Sequence, residues 1–350
     1  MSPPHTAALD LPGVDLGTLT AWLDAERPGL RRGELSGEKI AGGRSNLTYR
    51  ITDGHTEWAL RRPPLAHVLP TAHDMRREYR VISALAGTVP VPAAVALCAD
   101  SSVMGATFYL MSFVDGVVLT QPDVMARVTP DEAARCCDLL VDTLVALHGV
   151  ESASVGLADF GRPDGFLARQ VTRWHRQWKD SATRDLDELE DVVRQLAATT
   201  PEQAAPAIVH GDYRLNNLMF APALDRVAAI VDWEMATLGD PLTDLGMLVV
   251  YQTLAQQGAA LVPQLPADRG FRSPGDLVAR YAARSARRLD DLPWYVALGY
   301  FKLAVAVEGI HRRYLAGKTV GDGFEHFGPA VPMLLRAALD KLGDDDGIHA

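Results

Sequence analysis

Short runs of alternating apolar and polar residues occupy the first third of the chain. Alternation with a period of two is typical of strands that bury one face. The pair Asp53-Gly54 is a signal for a tight hairpin turn between two such runs. The pattern predicts strands at residues 39–40, 47–52, 57–61, 93–97 and 107–113.

One segment of this region has helical spacing instead. Residues 73–86 place Met75, Tyr79, Ile82 and Leu85 on one face, and Gly87 ends the pattern. We therefore predict a small antiparallel sheet with one helix over residues 15–112, after a flexible N-terminus at 1–14.

Beyond Asp115-Gly116 the pattern changes to long amphipathic helices. Two short apolar runs, at 207–209 and 227–231, interrupt these helices and flank a polar loop. We expect a hinge at 113–116 and a mainly helical lobe over 117–350, without a separate linker or an internal repeat. The predicted helices span residues 130–147, 164–178, 186–198, 241–257, 273–285 and 293–316.

Composition and charge argue against several classes of protein. The 350 residues are 48% hydrophobic and carry a formal net charge of -10 without a Lys/Arg tract, so a nucleic-acid partner is not expected. The apolar stretches are too short to cross a membrane, and residues 1–12 lack the features of a signal peptide. Cys98, Cys136 and Cys137 do not indicate a disulfide framework, so we expect a cytoplasmic protein.

Side chains that can chelate metals or accept protons follow the two short apolar runs. His210, Asp212 and Asn217 come after the first run, and Asp232 comes after the second. Phosphoryl transfer requires a carboxylate that deprotonates the acceptor hydroxyl, and oxygen ligands that hold Mg²⁺. Asp212 fits the first role, and Asn217 and Asp232 fit the second. A turn with a capping Asp is the structural alternative for His210 to Asp212.

The spacing of these residues resembles a known catalytic loop. His210, Asp212 and Asn217 match the His-x-Asp-x-x-x-x-Asn pattern of the protein-kinase-like fold, whereas Asp232-Trp233-Glu234 stands where a protein kinase has Asp-Phe-Gly. The chain instead resembles the aminoglycoside phosphotransferase and choline kinase superfamily. Within it, the chain is most similar to the phosphotransferase domain that some eukaryotic proteins fuse to acyl-CoA dehydrogenases, and to its stand-alone bacterial relatives. The matching motifs lie in order at residues 42–46, 59–64, 77–80, 169–170, 173–174, 210–217 and 239–246.

This resemblance implies an α+β fold of the bilobal, protein-kinase-like kind. A small N-terminal lobe would hold the antiparallel sheet, and a larger, mainly helical C-terminal lobe would hold the catalytic loop. The resemblance also implies a kinase that uses ATP and Mg²⁺ and acts on a small-molecule hydroxyl acceptor. The oligomeric state and the preference for ATP over GTP do not follow from the sequence.

The resemblance further implies individual roles in the catalytic loop. Asp212 would be the catalytic base, on a loop that His210 braces, and Asn217 and Asp232 would bind Mg²⁺. We interpret Asp244, one turn into the helix that Asp240-Pro241 begins, as a structural residue that steadies this loop.

Residues of the first lobe would bind the nucleotide. Arg61 stands where most kinases of this fold have Lys, and Glu78 would pair with it, although the alternation leaves open whether Arg61 or Arg62 points inward. A surface ion pair is the structural alternative for Arg61 and Glu78. The implied nucleotide-binding residues are Gly42, Gly43, Ser45, Asn46, Arg61, Glu78, Met111 and Phe113.

The acceptor is less well defined by the sequence. Arginines recur at helical spacing beside Trp174 and Trp178, either as a solvated face or as a site for an anion; they are Arg169, Arg173 and Arg176, of which Arg169 and Arg173 are the candidate acceptor residues. A basic helix of this kind would count against polycationic aminoglycosides. The resemblance favours a hydroxyacyl compound or its coenzyme A thioester. An aminoglycoside, macrolide or choline-type kinase and a nucleotide-binding regulator without turnover are the alternatives.

Overall fold

The computed structural model describes residues 11–40, 46–65, 74–319 and 323–343. The chain divides into two units, Met1–Asp115 with Ala228–Glu234, and Gly116–Val227 with Met235–Ala350. The segment Ala228–Glu234 thus belongs with the N-terminal part of the chain, although it follows the catalytic loop in sequence.

A five-stranded antiparallel sheet forms the centre of the first unit. Its strand order is β1-β2-β3-β5-β4. Tyr49 pairs with Leu60 across β2 and β3, and both side chains are fully buried on the same face of the sheet. Arg61 follows Leu60, so it lies on the opposite face. The strands are β1 (Ser36–Lys39), β2 (Leu47–Thr52), β3 (Glu57–Arg62), β4 (Ala94–Cys98) and β5 (Phe108–Ser112).

The first unit contains more helix than its sequence pattern predicts. Besides the predicted helix, α2 (Met75–Leu85), it contains α1 (Leu16–Glu26) and the short α3 (Ser101–Met104). Helix α1 begins at Asp15, whose side chain accepts a 2.7 Å hydrogen bond from Thr18 N–H. Its Leu19 and Leu23 are buried in the same core as Tyr49 and Leu60, so the prediction of a single helix in this region was wrong.

Helices make up most of the second unit. Helix α10 packs against α6, α8 and α11, and α5 packs against α9. The two helices that the pattern did not predict are α4 and α11. The helices are α4 (Pro122–Arg127), α5 (Pro130–His148), α6 (Phe166–Ser181), α7 (Asp187–Ala198), α8 (Leu242–Gln256), α9 (Pro274–Arg284), α10 (Leu292–Leu315) and α11 (Phe327–Gly343).

Short strands carry the polar loops between these helices. Strand β6 (Ala207–Val209) pairs antiparallel with β9 (Thr237–Gly239). Strands β7 (Leu218–Phe220) and β8 (Val227–Ile230) flank a turn that the hydrogen bond from Ala221 N–H to Arg226 carbonyl closes. The three residues of β6 are all buried, which gives the residues that follow it a rigid starting point.

Within the described part of the chain, no helix has both the length and the apolar character that spanning a bilayer would require.

Candidate functional site

The loop after β6 depends on a glycine in its second position. Gly211 has a φ of +84°, a region in which residues with a Cβ are strained. A Cβ at this position would also lie 2.6 Å from the carbonyl oxygen of Met235. His210 and Asp212 can therefore flank this tight turn only because the residue between them is glycine.

Asp244 on α8 holds the same loop through its backbone. Oδ2 accepts a 2.7 Å hydrogen bond from His210 N–H, and Oδ1 accepts a 2.8 Å bond from Gly211 N–H. His148 Nε2 lies 3.3 Å from Oδ2. Burial alone would raise the pKa of Asp244, but His148, His210 and the N–H donors lower it below its ordinary value. Asp244 thus stays charged and has the steadying position that its place in the sequence predicts.

The Asp212 side chain is held at both of its oxygens. Tyr251 O–H donates to Oδ1 at 2.7 Å, and Asn217 Nδ2 donates to Oδ2 at 3.1 Å. Arg214 Nε lies 3.3 Å from Oδ2. The side chain of Asp212 remains 20% exposed, so a hydroxyl group can still reach an oriented carboxylate that accepts hydrogen bonds.

His210 lies beneath this loop. Its side chain is fully buried, and its Nδ1 accepts a 3.3 Å hydrogen bond from Asp212 N–H. The ring packs edge-on against Tyr213 at 5.9 Å between centroids. The imidazole therefore contacts the backbone of Asp212, a position suited to bracing the loop.

A second polar cluster lies in the first unit. Arg61 Nε pairs with Glu78 Oε2 at 2.8 Å, and the Arg61 guanidinium also pairs with Asp232 Oδ1. Tyr109, opposite Arg61 in the sheet, donates a 3.0 Å hydrogen bond to Glu78. Burial by itself would lower the pKa of Arg61, but the Glu78 and Asp232 carboxylates raise it above its ordinary value.

Arg62 points to the other face of the sheet and donates to the backbone carbonyls of Gly13 and Met104.

Asp232 has an unusual backbone conformation. Its φ is +69°, in the left-handed region that few residues other than glycine adopt. Such conformations cost free energy and are concentrated at functional sites. Nearby in the same unit, Asn46 Nδ2 donates to Glu78 Oε1 at 3.2 Å and to Glu234 Oε2 at 3.0 Å. Asn46 and Arg61 therefore join three carboxylates into one network.

The remaining predicted nucleotide-binding residues have simpler surroundings. Met111 lies in β5 and is 8% exposed. Phe113 follows β5, and the Arg50 guanidinium carbon lies 4.9 Å from the centroid of its ring. Gly42, Gly43 and Ser45 lie outside the described residues.

The residues predicted to bind Mg²⁺ offer oxygen donors, which are the ligands that this ion prefers. Asn217 uses its amide nitrogen on Asp212, which leaves Oδ1 for a metal. Asp232 pairs with Arg61 through Oδ1, which leaves Oδ2. Among the residues that the structure describes, no three His, Cys, Asp or Glu side chains form a metal cluster. Mg²⁺ in a nucleotide site does not require one, since phosphates and water complete its coordination.

A cleft in the second unit lies beside the His210 to Asp212 loop. It is a narrow, partly open cleft between α6, α8 and α10, with a cavity volume of about 40 Å³. Gly211, Asp244, Arg173, Trp174 and Lys302 are among the residues that line it. Trp174 and Trp178 on α6 are both buried.

The two arginines predicted for the acceptor are placed differently. Arg173 is exposed at the edge of this cleft. Arg169 instead donates to the backbone carbonyls of Arg162 and Asp164 in the loop before α6. It does not line the cleft, so only one of the pair is positioned to meet a ligand there.

Two residues of the second-unit site are absent from the sequence prediction. Tyr251 lies seven residues, about two turns, after Asp244 on α8, so the two share a helix face. Lys302 is a single charged residue in the apolar middle of α10. Two features of the sequence could have identified these residues. Tyr251 has helical spacing from Asp244, and Lys302 is an isolated lysine in an apolar stretch of helix.

The sheet unit with its Arg61–Glu78 pair and the helical unit with its His-Gly-Asp loop define a phosphotransferase of the protein-kinase-like fold. The chain belongs to the phosphotransferase enzyme family, whose model matches residues 36–296. The resemblance inferred from the motifs is thereby confirmed.

Known proteins agree with this assignment over most of the chain. A solved structure from Ralstonia eutropha JMP134, provisionally assigned as an aminoglycoside phosphotransferase, is 31% identical and superimposes with a TM-score of 0.79 over 94% of this chain and 98% of that one. Acyl-CoA dehydrogenase family member 11 of Gallus gallus is 32% identical over 337 residues, which are 93% of this chain and 43% of that protein. The chain thus spans less than half the length of this relative.

More distant structures share the fold. The GDP and kanamycin complex of the aminoglycoside phosphotransferase APH(2″)-IIIa is 18% identical, with a TM-score of 0.60 over 92% of this chain and 98% of that one. The predicted fold class, an α+β protein-kinase-like fold with an antiparallel-sheet part and a mainly helical part, is confirmed.

Proposed function

We propose that this protein transfers the γ-phosphoryl group of ATP to a hydroxyl group of a small molecule. The observation that carries the proposal is the Asp212 carboxylate, which is partly exposed and held at both oxygens on a loop that Asp244 fixes. Membership of the phosphotransferase enzyme family supports it.

In this reaction Asp212 is the general base. Its carboxylate accepts the proton of the acceptor hydroxyl while the hydroxyl oxygen forms a bond to the γ-phosphorus. The bond between the γ-phosphorus and the bridging oxygen of the β-phosphate breaks, and ADP leaves. Asn217 and Tyr251 keep the carboxylate in place, because each donates a hydrogen bond to one of its oxygens. His210 braces the loop from below.

The first unit would supply the nucleotide site. Arg61, paired with Glu78, would contact the phosphates, and the turn with Gly42, Gly43, Ser45 and Asn46 would cover them. Met111 and Phe113 would lie along the nucleobase of the bound nucleotide. Asn217 and Asp232 would hold Mg²⁺, which neutralises phosphate charge as the bonds change. A hinge at 113–116 and a cytoplasmic location, where ATP is available, belong to the same proposal.

For the acceptor we propose a hydroxyacyl compound, free or as a coenzyme A thioester. The acyl-CoA dehydrogenase name of the similar Gallus gallus protein supports this class. An aminoglycoside is the second candidate, supported by the provisional assignment of the Ralstonia eutropha structure. A panel of hydroxy acids, their thioesters, aminoglycosides, macrolides and choline separates these classes, with ATP and GTP compared as donors.

Replacement of Asp212 by Asn tests the reaction itself. Asn keeps the shape of the side chain but cannot take the proton, so acceptor-dependent ADP release should fall by about a hundred- to ten-thousand-fold. The exposed Asp225→Asn variant is the matched control and should retain activity. Unchanged turnover in Asp212→Asn would refute the proposal. Nucleotide binding without ADP release across the whole panel would favour the regulator instead.

A further inference from the structure

Lys302 is a cationic residue that lines the cleft of the second unit and contacts the catalytic loop. It projects from α10, and its Nζ donates a hydrogen bond to the carbonyl oxygen of Gly211, the residue that precedes Asp212. Nζ lies 5.5 Å from the centroid of the Trp174 ring. An ammonium group has three N–H donors, and the Gly211 carbonyl takes one of them. Among the described residues Lys302 makes no other hydrogen bond, so the other two donors can serve a ligand in the cleft.

Arg173 adds a second positive charge to the lining of the cleft. Its guanidinium carbon lies 5.6 Å from the centroid of Trp174, the ring that also faces Lys302. In the part of the chain that the structure describes, no carboxylate forms an ion pair with Arg173. Its donors therefore point to solvent or to a ligand.

Two carboxylates, Asp212 and Asp244, offset part of these charges, and Arg214 beside Asp212 adds a further positive charge. Asp244 is the acidic residue that lines the cleft among the described residues. Its oxygens already accept hydrogen bonds from His210 N–H and Gly211 N–H. Asp212 is held by Tyr251 and Asn217. The open part of the cleft thus combines two cations with an aromatic ring and the apolar side chains of α6, α8 and α10.

We propose that Lys302 and Arg173 bind an anionic oxygen group, a carboxylate or a phosphate, of the acceptor whose hydroxyl lies at Asp212. This inference rests on the proposed function and specifies the acceptor class. Lys302 contacts the loop that carries the catalytic base, Asp212. An anionic group bound at Lys302 therefore lies close to the reacting hydroxyl, so both groups belong to one short acceptor molecule. Polycations such as aminoglycosides are disfavoured, because like charges repel in a partly desolvated cleft.

Burial lowers the pKa of Lys302; the Asp212 and Asp244 carboxylates oppose this shift, whereas the Arg173 and Arg214 guanidinium groups add to it. An anion bound at Nζ favours the charged form of the amine. Binding of an anionic acceptor should therefore be accompanied by net proton uptake at alkaline pH.

Matched pairs of acceptors test the proposal. In each pair one molecule carries an anion and the other does not: 3-hydroxybutyrate with its methyl ester, and glycerol 3-phosphate with glycerol, with kanamycin as a polycation. ATP-dependent phosphorylation is followed by mass spectrometry, and binding by calorimetry with a non-hydrolysable ATP analogue. The wild-type protein should prefer the anionic member of at least one pair by about ten-fold or more in kcat/KM or in Kd. The pair that shows the preference distinguishes a carboxylate from a phosphate.

Three variants identify the residues responsible. Lys302→Met should remove most of the preference, through a rise of about ten-fold or more in KM for the anionic acceptor, and Lys302→Arg should restore part of it. Arg173→Met, at an exposed position that tolerates the change, should reduce the preference separately if Lys302→Met does not fold. Lys179→Met, exposed on the same helix and outside the cleft, is the control.

The outcomes separate this inference from the proposed function. The inference is overturned if Lys302→Met and Arg173→Met both keep the preference for anionic acceptors. It is also overturned if the wild-type protein prefers the neutral molecules or kanamycin. In both cases the protein still phosphorylates an acceptor, so the proposed function stands. Phosphorylation of no hydroxyl compound contradicts the proposed function. In that case the calorimetric comparison of 3-hydroxybutyrate and glycerol 3-phosphate with their neutral partners still decides whether the cleft binds anions.

Discussion

The phenol of Tyr251 donates a 2.7 Å hydrogen bond to Oδ1 of Asp212. Two turns earlier on the same helix, Asp244 accepts the backbone N–H groups of His210 and Gly211. One face of α8 therefore holds both the loop and the carboxylate that the loop carries. Burial, together with the nearby Asp212 charge, raises the pKa of Tyr251 well above its ordinary value, so its O–H remains a donor at neutral pH.

Replacement of Tyr251 by Phe should lower kcat about ten-fold, because loss of one hydrogen bond of this kind lets the carboxylate leave its orientation. KM for the nucleotide should change little, since the hydroxyl contacts Asp212, whose proposed role is in the chemical step. Steady-state kinetics measure both constants. Tyr300→Phe, on α10, is the matched control; equal losses of kcat in the two variants would contradict a specific role for Tyr251.

Gly211→Ala should lower the free energy of unfolding by at least about 2 kcal/mol and abolish most activity. The reason is twofold, since φ is +84° and the new Cβ would collide with the Met235 carbonyl. Gly105 has a φ of +78° and open space around it, so Gly105→Ala should cost only about 1 kcal/mol. Urea denaturation compares the two, and a larger loss in Gly105→Ala would refute the steric argument.

Arg61→Lys tests the departure from the usual lysine. Arg61 pairs with both Glu78 and Asp232, and a single ammonium group cannot reproduce the forked geometry of a guanidinium. We expect a loss of about 1–2 kcal/mol in the free energy of unfolding. Arg50→Lys should cost less than about 1 kcal/mol, because the side chains of its partners Glu38 and Glu57 are 57% and 40% exposed. Nucleotide titration calorimetry should also show weaker binding in Arg61→Lys; tighter binding would mean that arginine is not the better residue here.

Asp53 gives stability a defined dependence on pH. Burial alone would raise the pKa of Asp53, but the backbone N–H groups of Arg32, Thr56 and His55 bind its charged form and lower the pKa to about 2. The stabilisation is therefore complete above the unfolded value of 3.8 and disappears as pH falls through about 2.

We accordingly expect Asp53→Asn to be less stable than wild type by about 2 kcal/mol at pH 7, because a neutral amide is a poorer acceptor for these donors. The difference should shrink as the pH falls below about 4. Chemical denaturation at several pH values measures it, with the exposed Asp123→Asn as control. A difference that stays constant from neutral to acidic pH would show that the charge of Asp53 is not involved.

Much of the fold follows from local patterns in the sequence. Strand β2 has the predicted bounds, and the six helices predicted for the second unit agree with the structure to within a few residues, whereas α4 and α11 were not predicted. The period of apolar residues determines these elements because each buries one face. Helix α1 was not predicted. Its apolar residues Leu19 and Leu23 pack against the sheet, so their role is evident only once the position of the sheet is known.

The motifs of the site could also be found in the sequence, because His210, Asp212 and Asn217 lie within eight residues of one another. The sequence could not decide whether Arg61 or Arg62 faces Glu78. Alternation places the two arginines on opposite faces of the sheet but does not indicate which face each one occupies. The tertiary structure decided this. It also showed that Tyr251 donates a hydrogen bond to Asp212 and that Lys302 donates one to the Gly211 carbonyl. These contacts join residues far apart in sequence, and no local period records which distant side chain a folded backbone will bring within hydrogen-bond distance.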